Sequence, residues 1–266
     1  MGWNEVRVTS WDDLTAALAE ALDGYRVPPA YLFRGQADAS WPLAPSLLRA
    51  VRDAPDAGAA HRIEELLENE FHAQAALFPE TESVWSVLMA AGRTELWAHM
   101  QHHGCPTRLL DWTASAYVAA YFAVDKCEDR DGALFMVAGA AVGDARIPDE
   151  DLIDPAAPER VMFTWPQFKS RRVVAQQGHF SVSSKVSAAH DGPILDACLR
   201  TSTEHPDAVI HRKIIIGADL KLVVLQQLRA MNIAPHALFP GLDGLGRSLA
   251  DLARLAAVLA RPPNRA

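Results

Sequence analysis

Residues 101–123, QHHGCPTRLLDWTASAYVAAYFA, set histidines, an arginine, an aspartate, threonines and a tryptophan into a run that otherwise has the composition of a protein core. A buried polar group without a partner costs about 1–3 kcal/mol, so these side chains must either be paired or work. Upstream, Tyr31-Leu32-Phe33-Arg34-Gly35-Gln36 is an apolar, strand-like run that ends on a cation, a glycine and an amide. The two segments are expected to meet in space, with Arg34 at a strand end facing a cleft.

Composition bounds the architecture that can hold them. The chain has 266 residues, half of them hydrophobic, and seven tryptophans, enough to bury the core of one large domain or two small ones. A formal net charge of −8 argues against general attraction to phosphate backbones and leaves room for a local basic groove. Cys105, Cys127 and Cys198 are odd in number, widely spaced and form no C-x-x-C pair, so neither a disulfide framework nor a cysteine zinc site is indicated. No charged start followed by an apolar h-region opens the chain and no stretch reaches the length of a membrane span. A soluble, unprocessed, cytoplasmic protein is expected, with no membrane partner.

Working outward, Ser10-Trp11-Asp12-Asp13 is a capping signal before apolar residues at 14, 17, 18, 21 and 22, predicting a helix stopped by Gly24 and the prolines at 28 and 29. A short strand over 31–34 follows, then a loop through Trp41-Pro42-Leu43-Ala44-Pro45 and a surface loop over 51–60. Apolar spacing predicts a helix from His61 to Phe78, stopped by Pro79, and further helices over 92–103 and 115–125. Gly132–Ala140 reads as a buried strand, 144–160 as an irregular connection, Arg172–Val182 as a strand kinked at its glycine, and Val209–Ile216 as another strand. Two helices, Leu220–Met231 and Asp243–Leu259, precede a polar tail. With no repeat and no linker, the expectation is a single α/β (α+β) domain over 1–266: a helical part to about residue 30, a core over about 31–245 and a C-terminal helix over 243–260.

Four segments, FRG at 33–35 with Gln36 and WPLAPSLLR at 41–49, QHHGCPTRLLDWT at 101–113 with AAYFA at 119–123, AQQGHF at 175–180, and LFPGLDGL at 238–245, together resemble the FRG domain family, named for its Phe-Arg-Gly signature. The resemblance runs in the family's order over nearly the whole chain. A second resemblance, at the level of fold, is to ADP-ribosyltransferases: an Arg closing the first strand, a later strand leading into Thr-x-Ser and a helix, and a third strand carrying an amide or carboxylate. That layout implies small split sheets flanked by helices, with NAD held as a substrate in the cleft between them.

The resemblance implies roles for particular residues. Arg34 would grip phosphate through its bidentate fork, and Gly35 would let backbone come close. Thr113 and Ser115 would support the strand or bond the ribose, and Trp112 or Tyr121 would stack on a base or on nicotinamide. Where such transferases carry Glu, this chain offers Gln176 and Gln177, and an amide cannot act as a base. Asp111, His102 or His179 would then supply the charge or the base, unless catalysis has been lost. Catalytic candidates are thus Arg34, His102, Asp111, Gln176 and Gln177, and substrate-binding candidates are Gln36, Gln101, Thr107, Arg108, Trp112, Thr113, Ser115 and His179. Arg108 and Asp111 have a competing reading as a buried structural pair.

Other motifs lead elsewhere or nowhere. His99 and His103 have the i, i+4 spacing of metal ligands without a third ligand, so no metal is expected. Asp243 before Gly244 reads as a helix N-cap, while Ser181, Ser183 and Ser184 are open between phosphate contacts and strand-edge hydroxyls. No G-x-S-x-G elbow, P-loop or G-x-G-x-x-G is present. Two functions stay open: an ADP-ribosyltransferase or NAD glycohydrolase, as a prokaryotic toxin or defence effector with a protein or nucleic-acid acceptor, or a non-catalytic module of the same fold that binds a nucleotide, nucleic acid or protein.

Overall fold

The computed structural model describes residues 2–23, 31–75, 77–78, 91–142, 146–167 and 170–259. In chain order the elements are β1 (Glu5–Val8), α1 (Trp11–Asp23), β2 (Tyr31–Gln36), α2 (Ser46–Ala50), α3 (Ala57–Ala75), α4 (Arg93–His102), β3 (Leu109–Thr113), α5 (Ala116–Val124), β4 (Gly132–Ala138), α6 (Gly139–Val142), α7 (Asp149–Ile153), β5 (Val161–Thr164), α8 (Arg171–Ala175), β6 (Gly178–Ser183), α9 (Asp191–Glu204), β7 (His211–Ile216), α10 (Lys221–Ala230), α11 (Pro235–Leu238) and α12 (Leu242–Leu259). The seven strands form one mixed sheet in the order β1-β7-β4-β2-β3-β6-β5, parallel only between β1 and β7. An α/β fold class is thereby shown, but the small split sheets that the transferase resemblance implied are joined as one sheet among the described residues.

The sheet has a seam. β2 pairs with β4 over six residues, and β3 with β6 over five, yet β2 and β3 meet at the single pair Phe33 and Thr113. Each side of the seam has a helix seated on it. On the β3 side, Leu96, Trp97 and Met100 of α4 pack on Leu109, Phe180 and Val182. On the β2 side lies α5, whose Ala119, Ala120 and Ala123 have no solvent exposure. A Cβ on Gly35 would stand 1.9 Å from the Ala119 carbonyl oxygen and 2.6 Å from the Ala123 nitrogen, and one on Gly132 would stand 2.1 Å from the Ala123 carbonyl oxygen. Glycine on two adjacent strands and alanine on the helix let backbone meet backbone. The β4 segment GALFMVA is buried at every position, as a central strand covered on both faces must be.

Several expected elements take a different form. The segment 172–182 is not one kinked strand: Ser170 caps α8 by accepting from the Val173 nitrogen at 3.2 Å, and β6 begins only at Gly178, after Gln177 turns the chain at φ +48°. Residues 51–60 are no surface loop throughout, since α3 starts at Ala57 and Val51, Ala59 and Ala60 are buried. Residues 144–160 contain α7, and the edge strands β1 and β5 were not anticipated, being four residues each. Arg34 is not at the end of its strand, which runs on to Gln36. Asp243 is not an N-cap: α12 starts at Leu242, which puts Asp243 inside its first turn. Ser10 does cap α1, its hydroxyl accepting from the Asp13 nitrogen at 3.0 Å. The stops expected at Gly24, Pro28, Pro29 and Pro79, like the tail after residue 259, lie outside the described residues.

Candidate functional site

Where backbone pairing between β2 and β3 gives out, the Arg34 side chain crosses the seam. Its Nη1 donates to the carbonyl oxygen of Asp111 at 2.6 Å, and its Nε donates to Gln36 Oε1 at 3.3 Å. Burial draws the guanidinium pKa down to about 10, against the pull of Asp111, so it stays charged at neutral pH. Beside it opens a cavity of about 210 Å³ whose wall includes Arg34, Gln101, His102, Asp111, Gln176 and His179. The Arg34 strand and the 101–113 block therefore share one hollow.

A chain of polar contacts orients the second wall. The Thr107 hydroxyl donates to Gln101 Oε1, and Gln101 Nε2 donates to Asp111 Oδ1 at 2.7 Å. Thr107, 1% exposed, is outside the cavity and acts through Gln101. Asp111 is exposed on its strand and lines the hollow. His102 stands on the same wall. Burial lowers its pKa, with His103 and Arg172 acting in the same direction, so the imidazole is neutral at pH 7 and able to accept a proton.

The two glutamines separate. Gln176 is in the wall, its Nε2 donating to the Leu238 carbonyl at 3.1 Å and its backbone carbonyl accepting from the Thr113 hydroxyl at 2.6 Å. A carboxylate at that position would face the Leu238 carbonyl without a proton to offer, which gives the amide a structural reason. Gln177 contributes backbone instead: it holds the left-handed turn, and its carbonyl accepts from the Ala114 nitrogen at 3.0 Å and lies 3.1 Å from His179 Nδ1.

Other candidates are held by scaffold contacts, although Trp112 and Thr113 also line the first cavity and Gln36 lines a neighbouring one. Arg108 has no exposure, pairs with Glu64 through both Nε and Nη2, donates to the Ser183 and Ser184 carbonyls and stacks 4.7 Å from the Trp97 ring. It is not a ligand contact, and its partner is not Asp111. Trp112 is 2% exposed with its indole N–H donating to Ser181 Oγ at 2.9 Å, and Tyr121 is 3% exposed, so neither ring is available for stacking. Ser115 caps α5, accepting from the Val118 nitrogen at 3.3 Å. The Thr113 hydroxyl supports the strand and accepts from the Ser115 nitrogen at 3.0 Å. Gln36 is 5% exposed, bonded to the Trp41 carbonyl and to Arg34. Ser181, Ser183 and Ser184 are fully buried and hold no position for phosphate. Gly35 seats α5 and also lines the cavity.

The ring centroids of His99 and His103 are 4.7 Å apart, but among the described residues no group of three His, Cys, Asp or Glu side chains is arranged to hold a metal. Four cations escaped the sequence reading altogether: Arg172 in the first cavity, and Arg49, Lys126 and Arg247 in a second one that adjoins it. They are spread over nearly 200 positions, and only Arg49 falls in a quoted motif, WPLAPSLLR, so only the fold could gather them.

Among known proteins, no curated protein and no solved structure matches the chain. The family model of the FRG domain matches residues 29–132, a span that includes Arg34, Gln101, His102 and Asp111 and leaves the 175–180 and 238–245 segments outside. The chain thus carries an FRG domain, and that domain supplies both walls of the seam.

Proposed function

We propose that this protein cleaves NAD at its nicotinamide–ribose bond, passing the ADP-ribosyl group to a macromolecular acceptor or to water. The observation that carries the reading is the shared hollow: a charged Arg34, a neutral His102 and an oriented Asp111 face one cavity at a break in the sheet. In the reaction the C1′–N1 bond breaks, nicotinamide leaves with the electron pair, and positive charge develops on the ribose. Asp111 is suited to offset that charge, because Gln101 holds its carboxylate in place before the reaction begins. Water or an acceptor hydroxyl then bonds to C1′ and gives its proton to His102. Arg34 grips the pyrophosphate.

One observation favours a second reading, a nucleotide-binding module without chemistry: the resemblance to transferases implies a carboxylate at the third motif, where this chain offers glutamines, and the amide of Gln176 is committed to Leu238. Nicotinamide release decides between them. Purified protein is incubated with NAD, alone and with protein or nucleic-acid acceptors, beside Arg34→Ala. Release that Arg34→Ala abolishes at unchanged Tm supports the enzyme, and toxicity on bacterial expression lost with the same variant supports a toxin or defence effector. Absence of release with every acceptor moves the protein to the binding reading.

A further inference from the structure

The second cavity, about 690 Å³, shares Arg34, Gly35, Phe122 and Arg172 with the first. Its wall carries five cations, Arg34, Arg49, Lys126, Arg172 and Arg247, against one carboxylate, Asp125. On a chain of formal net charge −8 this is a local inversion of sign. Burial pushes the pKa of that single acid up to about 6, and even fully ionised it offsets one of the five positive charges.

The cations are also held close to one another. The guanidinium carbons of Arg172 and Arg247 lie 5.0 and 4.6 Å from the centroid of Phe239, which props both side chains over the trough. Among the described residues neither arginine has an ion-pair partner. Burial lowers the pKa of both Arg172 and Arg34, Asp111 acts against it on both, and Arg247 on the first and Arg49 on the second add a smaller repulsion that an anion would relieve. At the rim Trp41 is 47% exposed, a large flat ring in the wall of a charged trough. Converging guanidiniums beside an open indole fit phosphate linked to an aromatic base.

We propose that the second cavity binds the nucleoside-diphosphate half of the dinucleotide, with the phosphates between Arg34, Arg49, Arg172 and Arg247 and the base on Trp41. This rests on the reading of the first cavity as the place of glycosidic cleavage, since the ribose must reach from one chamber to the other past Arg34.

The test is calorimetric titration of the full chain with ADP, AMP, adenosine, inorganic pyrophosphate and nicotinamide mononucleotide. Arg247→Ala is the main variant and Arg247→Gln the second, each checked for unchanged Tm, with Trp41→Ala alongside. ADP is expected to bind more tightly than AMP, and AMP more tightly than adenosine. Arg247→Ala should weaken ADP by about tenfold or more, the worth of a charge-assisted hydrogen bond. Trp41→Ala should weaken ADP while leaving binding of pyrophosphate and of nicotinamide mononucleotide unchanged. ADP that fails to bind, or binds both arginine variants as it binds the parent, overturns the assignment. Failures of the two proposals are distinguishable. Arginine-dependent ADP binding without nicotinamide release leaves the trough standing and removes the chemistry; release with a KM for NAD unmoved by Arg247→Ala does the reverse.

Discussion

Gly35→Ala tests the architecture that creates the hollow. The new methyl would lie 1.9 Å from the Ala119 carbonyl oxygen and 2.6 Å from the Ala123 nitrogen, both backbone atoms that no rotamer change can move. Restoring an ordinary contact of 3.4 Å requires α5 to lift by about 1.5 Å, breaking the packing of three fully buried alanines. Overpacking of this kind costs about 1–3 kcal/mol, and with rigid backbone as the obstacle the upper end applies. The intrinsic preference for alanine over glycine inside a strand is worth only about 0.5–1 kcal/mol in the other direction. A net loss of about 2–2.5 kcal/mol remains, which for a chain of this size lowers Tm by roughly 4–10 °C in calorimetry. Gly132→Ala meets the same helix at Ala123, so the double variant should fall short of additivity: once α5 has lifted for one methyl, the second is partly accommodated. A Tm for Gly35→Ala equal to or above that of the parent would refute the reasoning, and strict additivity would refute the shared displacement.

Arg108→Ala should cost about 3–5 kcal/mol in urea unfolding by stranding Glu64 in the core, whereas Arg108→Met with Glu64→Leu should recover most of the loss; equal destabilisation of the two would undo the structural assignment. Acidification should weaken the fold between pH 6.5 and about 4. Burial, aided by His103 and His102, holds His99 at about 4, and burial, aided by Arg34 and Arg108, holds His190 at about 3. Below 6.5 the unfolded chain binds protons the folded one refuses, so stability falls by up to about 1.4 kcal/mol per pH unit and site. His99→Leu should flatten that slope, and an unchanged slope would count against it. Gln177→Gly should leave nicotinamide release intact and keep or raise Tm, because the residue serves through a left-handed backbone; lost activity with an intact fold would show that its side chain does chemistry.

How much of this could be read without coordinates depended on range. Period and caps were enough for α1, α4, α5 and β4, where the signal is local: Ser10 caps as its spacing implies, whereas Ser115, read as a strand support or ribose contact, turns out to cap α5. The meeting of Arg34 with the 101–113 block also followed, since both break an apolar run with groups that core packing alone does not explain. Long-range pairing was hidden. Glu64 lies 44 positions before Arg108, and the nearer Asp111 looked the better partner only because it was close in the chain. The strand expected over 172–182 failed because β-branched Val173 and Val174 masked a five-residue helix, whose start is marked by Ser170 and whose end by a glutamine in a glycine-like conformation. The trough was illegible for a further reason: charge balance over the whole chain is acidic, and its basic residues gather only in three dimensions.

The tripeptide Phe33-Arg34-Gly35 joins three unlike duties in adjacent positions. Phenylalanine fills the interior and makes the lone backbone link across the seam, arginine spans the gap beside it, and glycine makes room for a helix. Two letters of the signature are joinery, and one alone looks outward. A search that follows the tripeptide will therefore collect chains that are built alike, whether or not they act alike, and the guanidinium's neighbours on the facing strand are the better guide to which of them are enzymes.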